Sequence, residues 1–220
     1  MAEARVDRER KRAAEIIRIL WREYPEAQCS LDFKTPFQLI VATILSAQCT
    51  DVRVNQVTPA LFARFPTPDK MAKAPLNEIE DLIRTTGFFR NKALSLKEMA
   101  RSLHEDYDDE VPKELDKLVK LRGVGRKTAN VVLGVAFGIP GMVVDTHVGR
   151  IARRLGFSKN TTPHLVEQDL MKVIPKADWT DFGHLLIHHG RAICTARRAY
   201  CENCVISRYC PKIGVCAKEA

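Results

Sequence analysis

The chain has 220 residues, 45% of them apolar, and 35 Lys and Arg against 27 Asp and Glu, a formal charge of +8. That length can bury one large core or two smaller ones, so no staple is needed merely to offset small size, and the positive balance favours a polyanionic partner. No apolar signal core follows Met1, Glu3, Asp7, Glu9 and Glu15 speak against a transit peptide, and the longest apolar stretch (131–144) is interrupted by Gly134, Gly138, Pro140 and Gly141 and is too short for a bilayer span. A soluble, intracellular protein in the cytoplasm or at the nucleoid is expected.

Helical spacing of apolar residues runs through the chain with no period-two alternation, so the fold class reads as all-α. Ala13, Ile16, Ile17 and Leu20 stripe a first helix that ends near Tyr24-Pro25. Thr35-Pro36 supplies a cap and first-turn proline for a helix through Phe37, Ile40, Val41, Ile44 and Leu45. Asp51 is a candidate cap for a helix through Val54, Val57, Leu61, Phe62 and Phe65. Thr67-Pro68 and Pro75 open short helices, the second closed by Gly87. Ala93, Leu96, Met99, Ala100 and Leu103 carry a longer helix that ends in an acidic stretch, and Pro112 should start one through Leu115, Leu118 and Val119. Arg126 to Phe137 is apolar almost all round after its first turn, which implies a central, buried helix. Asp145 caps a helix through Val148, Ile151 and Leu155, Thr162-Pro163 begins another, and Phe182, Leu185 and Leu186 mark the last.

Two segments carry chemistry. Leu121-Arg122-Gly123-Val124-Gly125-Arg126-Lys127 is a hairpin between helices. Its glycines permit tight turning and bring main-chain N–H groups to the surface at a helix start, where a phosphate can be gripped. Val124 would tuck between the helices while Arg122 and Arg126 add charge; alternatively Gly-x-Gly merely joins two helices, a reading that the basic flank and net charge weaken. The second segment is Cys194-x6-Cys201-x2-Cys204-x5-Cys210. A four-cysteine zinc site usually presents two Cys-x2-Cys knuckles, whereas one knuckle flanked by wider loops suits four thiolates around a bulkier [4Fe-4S] cluster. Zinc and disulfides are the alternatives. Cys29, Cys49 and Cys216 bring the count to an odd seven, which argues for a reducing compartment rather than an oxidised framework. The amphipathic first helix is a candidate to fold back over the cluster.

Leu121–Ala129 resembles the helix-hairpin-helix of the endonuclease III family of DNA glycosylases, Val144-Asp145-Thr146-His147-Val148 its catalytic aspartate segment, and Leu45–Asp51 its DNA-gap loop. The four cysteines match its cluster, and the resemblance extends over about residues 10–212; Arg122 departs from it, standing where the family commonly has proline. The resemblance implies two helical domains, 29–139 with the helix-hairpin-helix at about 112–137, and 1–28 plus 140–220 with the [4Fe-4S] cluster, with a DNA cleft between them. It implies a monomeric, bifunctional glycosylase and AP lyase that binds double-stranded DNA bearing damaged bases or abasic sites. Oxidised pyrimidines are the implied substrates.

By position Lys127 matches the family's catalytic lysine, which attacks C1′ and forms a Schiff base. A nucleophilic amine must shed its proton, and the helix N-terminus, Arg126 and burial in an apolar site would all favour that. Asp145 would stabilise cationic sugar character and move protons while also capping its helix. Gln48 resembles the residue that fills the hole left by a flipped nucleotide, and Phe88 stands where the family has an apolar wedge, with Phe89 equally placed for wedge or core. His147 either contacts DNA or satisfies the first helical turn. Arg197 and Arg198, between two of the cluster cysteines, would form a basic loop held against the phosphates. A monofunctional adenine-type glycosylase is disfavoured by Lys127, a non-catalytic helix-hairpin-helix binder by the Lys127 and Asp145 pair, and a ferredoxin-like carrier by the basic hairpin.

Overall fold

The computed structural model of the chain describes residues 2–215. Those residues form α-helices and short 3₁₀ turns, and the lone extended feature among them is an isolated bridge between Cys194 and Ala199. The chain divides into a central unit, Ser30–Ile139, and a terminal unit made of the residues up to Cys29 and those from Pro140 onward.

Helix α1 (Ala2–Glu23) opens the terminal unit, and its Ala13, Ile16, Ile17 and Leu20 are buried there. The central unit comes next. In α2 (Pro36–Leu45) the Thr35 hydroxyl accepts from the Gln38 N–H at 3.2 Å, and proline occupies the first turn. In α3 (Asp51–Arg64) the cap is Thr50, not Asp51: the Thr50 hydroxyl accepts from Arg53 N–H at 3.3 Å, and Asp51 stands in the first turn. There its carboxylate favours the positive end of the helix without capping it. Short helices α4 (Pro68–Ala72) and α5 (Leu76–Ile83) pack on α6 (Phe89–Asp106). A 3₁₀ turn, Arg84–Thr86, joins α5 to Gly87.

The segment after Pro112 is helical only over α7 (Leu115–Leu118), started at Glu114, and the rest is turns. A longer helix has little to bury, since Leu118, Leu121 and Val124 are the apolar anchors from there to the hairpin's end. Helix α8 (Arg126–Phe137) packs on α2 and buries Ala129, Asn130, Val132 and Leu133, while Val131 and Val135 to Phe137 are only partly covered. It is therefore less enclosed than its composition suggests.

The terminal unit resumes with α9 (Thr146–Arg154), α10 (Pro163–Val173) and α11 (Trp179–Ala192), and ends in the cysteine segment with 3₁₀ turns at Cys201–Asn203 and Ser207–Tyr209. Its core joins the α1 stripe to Val148, Ile151, Leu155, Leu170, Phe182, Leu185, Leu186 and Ile206. Each fully buried aliphatic side chain contributes about 1.5–3 kcal/mol. Arg12 fastens α1 to the rest of the unit. Its guanidinium lies 4.3 Å from the centre of the Phe157 ring and donates to the carbonyls of Leu155 and Tyr209, each at 2.8 Å. Tyr209 is next to Cys210, so this side chain helps tie α1 to the cysteine segment, alongside the packing of Ile206 in the shared core.

Candidate active site and nucleic-acid interface

In the central unit the hairpin between α7 and α8 is anchored by Leu121 and Val124, which are 3% and 4% exposed, and tightened by the Val124 N–H donating to Leu121 O at 3.1 Å. The two glycines have different reasons to be there. Gly123 has φ +80°, and a Cβ on it would lie 2.9 Å from Ser95 Cβ and 3.6 Å from Ile44. Both backbone and packing exclude a larger residue. Gly125 has an ordinary φ of −82° and open space around it. It is the N-cap of α8, and no side chain caps that helix. The first-turn N–H groups of α8 thus point out from an exposed backbone, with the positive end of the helix dipole behind them. Arg122 and Arg126 are exposed on either side, and Lys127 is exposed at the second helical position. The chain by itself does not bury the Lys127 amine, contrary to the apolar enclosure expected for it.

Gln48 and Phe88 are on the same unit, both exposed and both in the left-handed region, with φ of 52° and 47°. Such backbone is costly for residues with a side chain, roughly 1–2 kcal/mol each, and clusters where function over-determines it. Phe88 is 65% exposed, the N-cap of α6, with no side-chain cap bond. Its neighbour Phe89 is half-buried beneath Arg84 and Arg90, whose guanidinium carbons lie 5.2 and 5.5 Å from the ring centre. Of the two, Phe88 is the ring available to a ligand.

In the terminal unit Asp145 is the N-cap of α9, its Oδ1 accepting from Val148 N–H at 2.8 Å. His147 comes next, in the first turn. Its Nδ1 is 3.2 Å from Arg150 Nη2, which also reaches Gly190 O at 3.1 Å and Cys194 O at 2.9 Å. A Cβ on Gly190 would lie 2.9 Å from His147 Nδ1, so the missing side chain on α11 makes room for the imidazole.

Cys194, Cys201, Cys204 and Cys210 line one small pocket with His189, Ile193, Tyr200 and Ile206. Among the described residues no set of three or more His, Cys, Asp and Glu forms a ready-made site for a metal ion; the cysteines surround a shared space without closing into a shell. All four are partly buried and free. Burial pushes the Cys204 thiol up to about 11, with the other three cysteines adding to the rise, and burial also raises Cys210. His189, pushed down to about 4 by burial, stands between Tyr24 Oη at 3.0 Å and Cys204 Sγ at 3.5 Å.

Two arginines of α9 hold the first cysteine. Arg150 donates to Cys194 O from Nε at 3.1 Å and from Nη2 at 2.9 Å, and Arg154 Nη1 reaches Cys194 Sγ at 3.1 Å and Thr195 O at 2.8 Å. The basic loop beyond it is exposed at Arg197 and Arg198, and Arg198 pairs with Glu202 at 3.0 Å and lies over Tyr200. Cys216 lies outside the described residues. Sequence reasoning missed Arg12, Arg150 and Arg154, whose long-range partners include main-chain carbonyls that leave no pattern.

An uncapped, glycine-entered helix flanked by Arg and Lys, carried on an all-helical scaffold, defines a helix-hairpin-helix DNA-binding class. Residues 41–176 match the family described as HhH-GPD superfamily base excision DNA repair protein. Endonuclease III of Synechocystis sp. is 54% identical over 92% of this chain and 93% of its own length. The Bacillus subtilis endonuclease III is 46% identical over 85% and 86%. Among solved structures, a trapped endonuclease III–DNA covalent intermediate in an estranged-adenine complex superimposes with a TM-score of 0.86 at 42% identity, covering 92% of this chain and 96% of that one. The chain belongs to this superfamily and, within it, to the endonuclease III family.

Proposed function

We propose that the chain excises oxidised pyrimidines from duplex DNA with Lys127 as the nucleophile and then cleaves the strand, acting as a bifunctional base excision DNA glycosylase and AP lyase. The observation that carries this is the α8 N-terminus, where uncapped N–H groups and an exposed Lys127 occupy the same first turn. Phosphate on those N–H groups sets the sugar beside the amine. As duplex DNA covers the hairpin, water leaves the Lys127 amine, an enclosure that the chain alone does not provide.

The chemistry balances with these groups. The Lys127 nitrogen forms a bond to C1′ as the glycosidic bond breaks, and the base departs with the bonding electrons and a proton. Loss of the ring-oxygen bond gives the imine, and removal of a C2′ proton then expels the 3′ phosphate. Asp145 stabilises positive charge at the sugar and carries protons in these steps. Capping holds it rigidly through Oδ1. That a solved relative was trapped as a covalent DNA intermediate supports an amine route. Gln48 and Phe88 enter the duplex as the base leaves the stack, Phe88 offsetting part of the unstacking cost. Arg122, Gly123, Val124, Gly125 and Arg126 make the phosphate grip, and His147, partly exposed in the first turn of α9, adds a DNA contact.

The cysteine pocket suits a [4Fe-4S] cluster held by Cys194, Cys201, Cys204 and Cys210. Positive iron relieves the opposition to thiolates that burial and mutual repulsion impose there, and the Arg154 guanidinium already faces Cys194 Sγ. When bound, the cluster fixes the loop shape, so that Arg197 and Arg198 meet phosphates in a set position. The place of action is wherever duplex DNA lies, the cytoplasm or nucleoid.

Duplexes each bearing one defined lesion test the reading. Wild-type protein should release oxidised pyrimidines and nick the strand, and Lys127→Gln should bind the same duplexes without nicking. Binding with no base release by the wild type would leave a non-catalytic DNA binder, and release without nicking a monofunctional glycosylase.

A further inference from the structure

Lys92 lies near the start of α6, and with 6% of its surface exposed it is one of the few buried charged side chains among the described residues. Its ammonium donates to Leu45 O at 2.8 Å and to Thr86 O at 2.7 Å. Leu45 is the last residue of α2, and Thr86 is the last residue of the 3₁₀ turn. These carbonyls carry the negative end of each helical segment, where a cation is favoured.

A strained residue follows within three positions of each carbonyl. Three positions beyond Leu45 stands Gln48, and two positions beyond Thr86 stands Phe88, both exposed and both left-handed. Their φ values, 52° and 47°, are backbone that persists only where the surroundings enforce it. The local hydrogen bonds, Cys49 N–H to Ser46 O and Lys92 N–H to Phe88 O, both 3.1 Å, close each turn separately. Lys92 is the side chain that joins the two. Burial disfavours its charged form, opposed by the nearby Cys49 sulfur, so a neutral apolar residue would be the easier occupant if packing were all that was required.

We propose that Lys92 is a positioning residue that clamps the ends of α2 and the 3₁₀ turn together, so that Gln48 and Phe88 enter the duplex as one rigid unit. The proposal rests on the reading of Gln48 and Phe88 as residues that invade the stack. Lysine suits the task because its ammonium has three donors on a long stem and can satisfy two carbonyls at once. Methionine would fill the same space and hold neither.

The test uses cluster-loaded Lys92→Met, with Gln48→Ala and Phe88→Ala alongside. Unstacking is read from 2-aminopurine fluorescence beside a paired lesion under single-turnover conditions. Strand cleavage at a pre-formed abasic site in single-stranded DNA, which has no stack to open, is the second readout. Lys92→Met should lower the fluorescence amplitude and duplex base release about tenfold, leave single-strand cleavage within twofold, and make a further Phe88→Ala change cost little more. Equal loss on duplex and single strand would make Lys92 a general fold residue and overturn the clamp. So would wild-type behaviour of Lys92→Met when Phe88→Ala and Gln48→Ala are impaired. If those two are themselves unimpaired, the stack-invasion reading fails and takes the clamp with it. Should Lys92→Met not fold, amide exchange on the wild-type protein decides: a Cys49 amide protected as well as the interior of α6 supports the clamp, and exchange at loop rates overturns it.

Discussion

The two hairpin glycines should respond in opposite ways to the same added methyl group. Gly123→Ala forces a left-handed φ of +80° on a residue with a Cβ and drives that atom to 2.9 Å from Ser95 Cβ. The first effect costs about 1–2 kcal/mol and the second about 1–3 kcal/mol, together about 3 kcal/mol. For a chain of this size that is a fall in Tm of roughly 6–12 °C. Gly125→Ala meets open space at φ −82° and should leave stability within about 0.5 kcal/mol, since the alanine also restricts the unfolded chain. Its methyl group stands instead where a phosphate must approach, so binding should weaken. Thermal melts of both proteins with the cluster loaded, and fluorescence anisotropy on a duplex with a stable abasic analogue, separate the cases. Gly125→Ala destabilised as much as Gly123→Ala, or binding as tightly as wild type, would refute the assignment of Gly125 to the DNA surface.

Phe88→Ala should change stability by less than about 0.5 kcal/mol yet slow base release from a paired lesion, whereas Phe89→Ala, stripped from between Arg84 and Arg90, should cost about 1–2 kcal/mol; urea melts with single-turnover kinetics distinguish them. Cys204→Ser should yield protein lacking iron and the visible absorption of a [4Fe-4S] cluster, with a smaller salt slope for DNA binding as Arg197 and Arg198 lose their set position, each phosphate contact carrying about 0.9 of that slope; full iron content would remove Cys204 from the ligand set. Asp145→Asn should keep the melting temperature, because asparagine caps as well as aspartate, and slow base release on the order of 100-fold or more. Normal turnover in that variant would leave Asp145 only its cap.

Local chemistry was legible in the sequence, and long-range chemistry was not. Thr35-Pro36, Thr67-Pro68, Thr162-Pro163 and Asp145 all start helices, since cap and first turn are decided within four residues. Thr50 and Asp51 are adjacent and both able to cap, so the sequence alone favours the wrong one. Pro112 looks like a helix start, but the segment has too few apolar residues to bury and makes a single helical turn three residues later. The hairpin and the cysteine spacing announce themselves because their geometry is contained in a short stretch. Which phenylalanine is exposed depends on a left-handed backbone at Phe88 and on Arg84, neither visible as a pattern. Lys92, Arg12, Arg150 and Arg154 were invisible because each is held by carbonyls between 40 and 197 residues away, apart from the nearer Thr86 and Thr146. A carbonyl has no sequence signature.

The central claim is that the Lys127 nitrogen becomes bonded to the sugar during turnover, and borohydride trapping reads that bond directly. Added while the protein processes a lesion-bearing duplex, borohydride should reduce the imine to a stable amine, and mass spectrometry of the digested cross-link should place the sugar remnant on Lys127. Lys127→Gln should bind the duplex and give no cross-link. A cross-link of undiminished yield in Lys127→Gln, or a remnant mapped to another residue, would contradict the account.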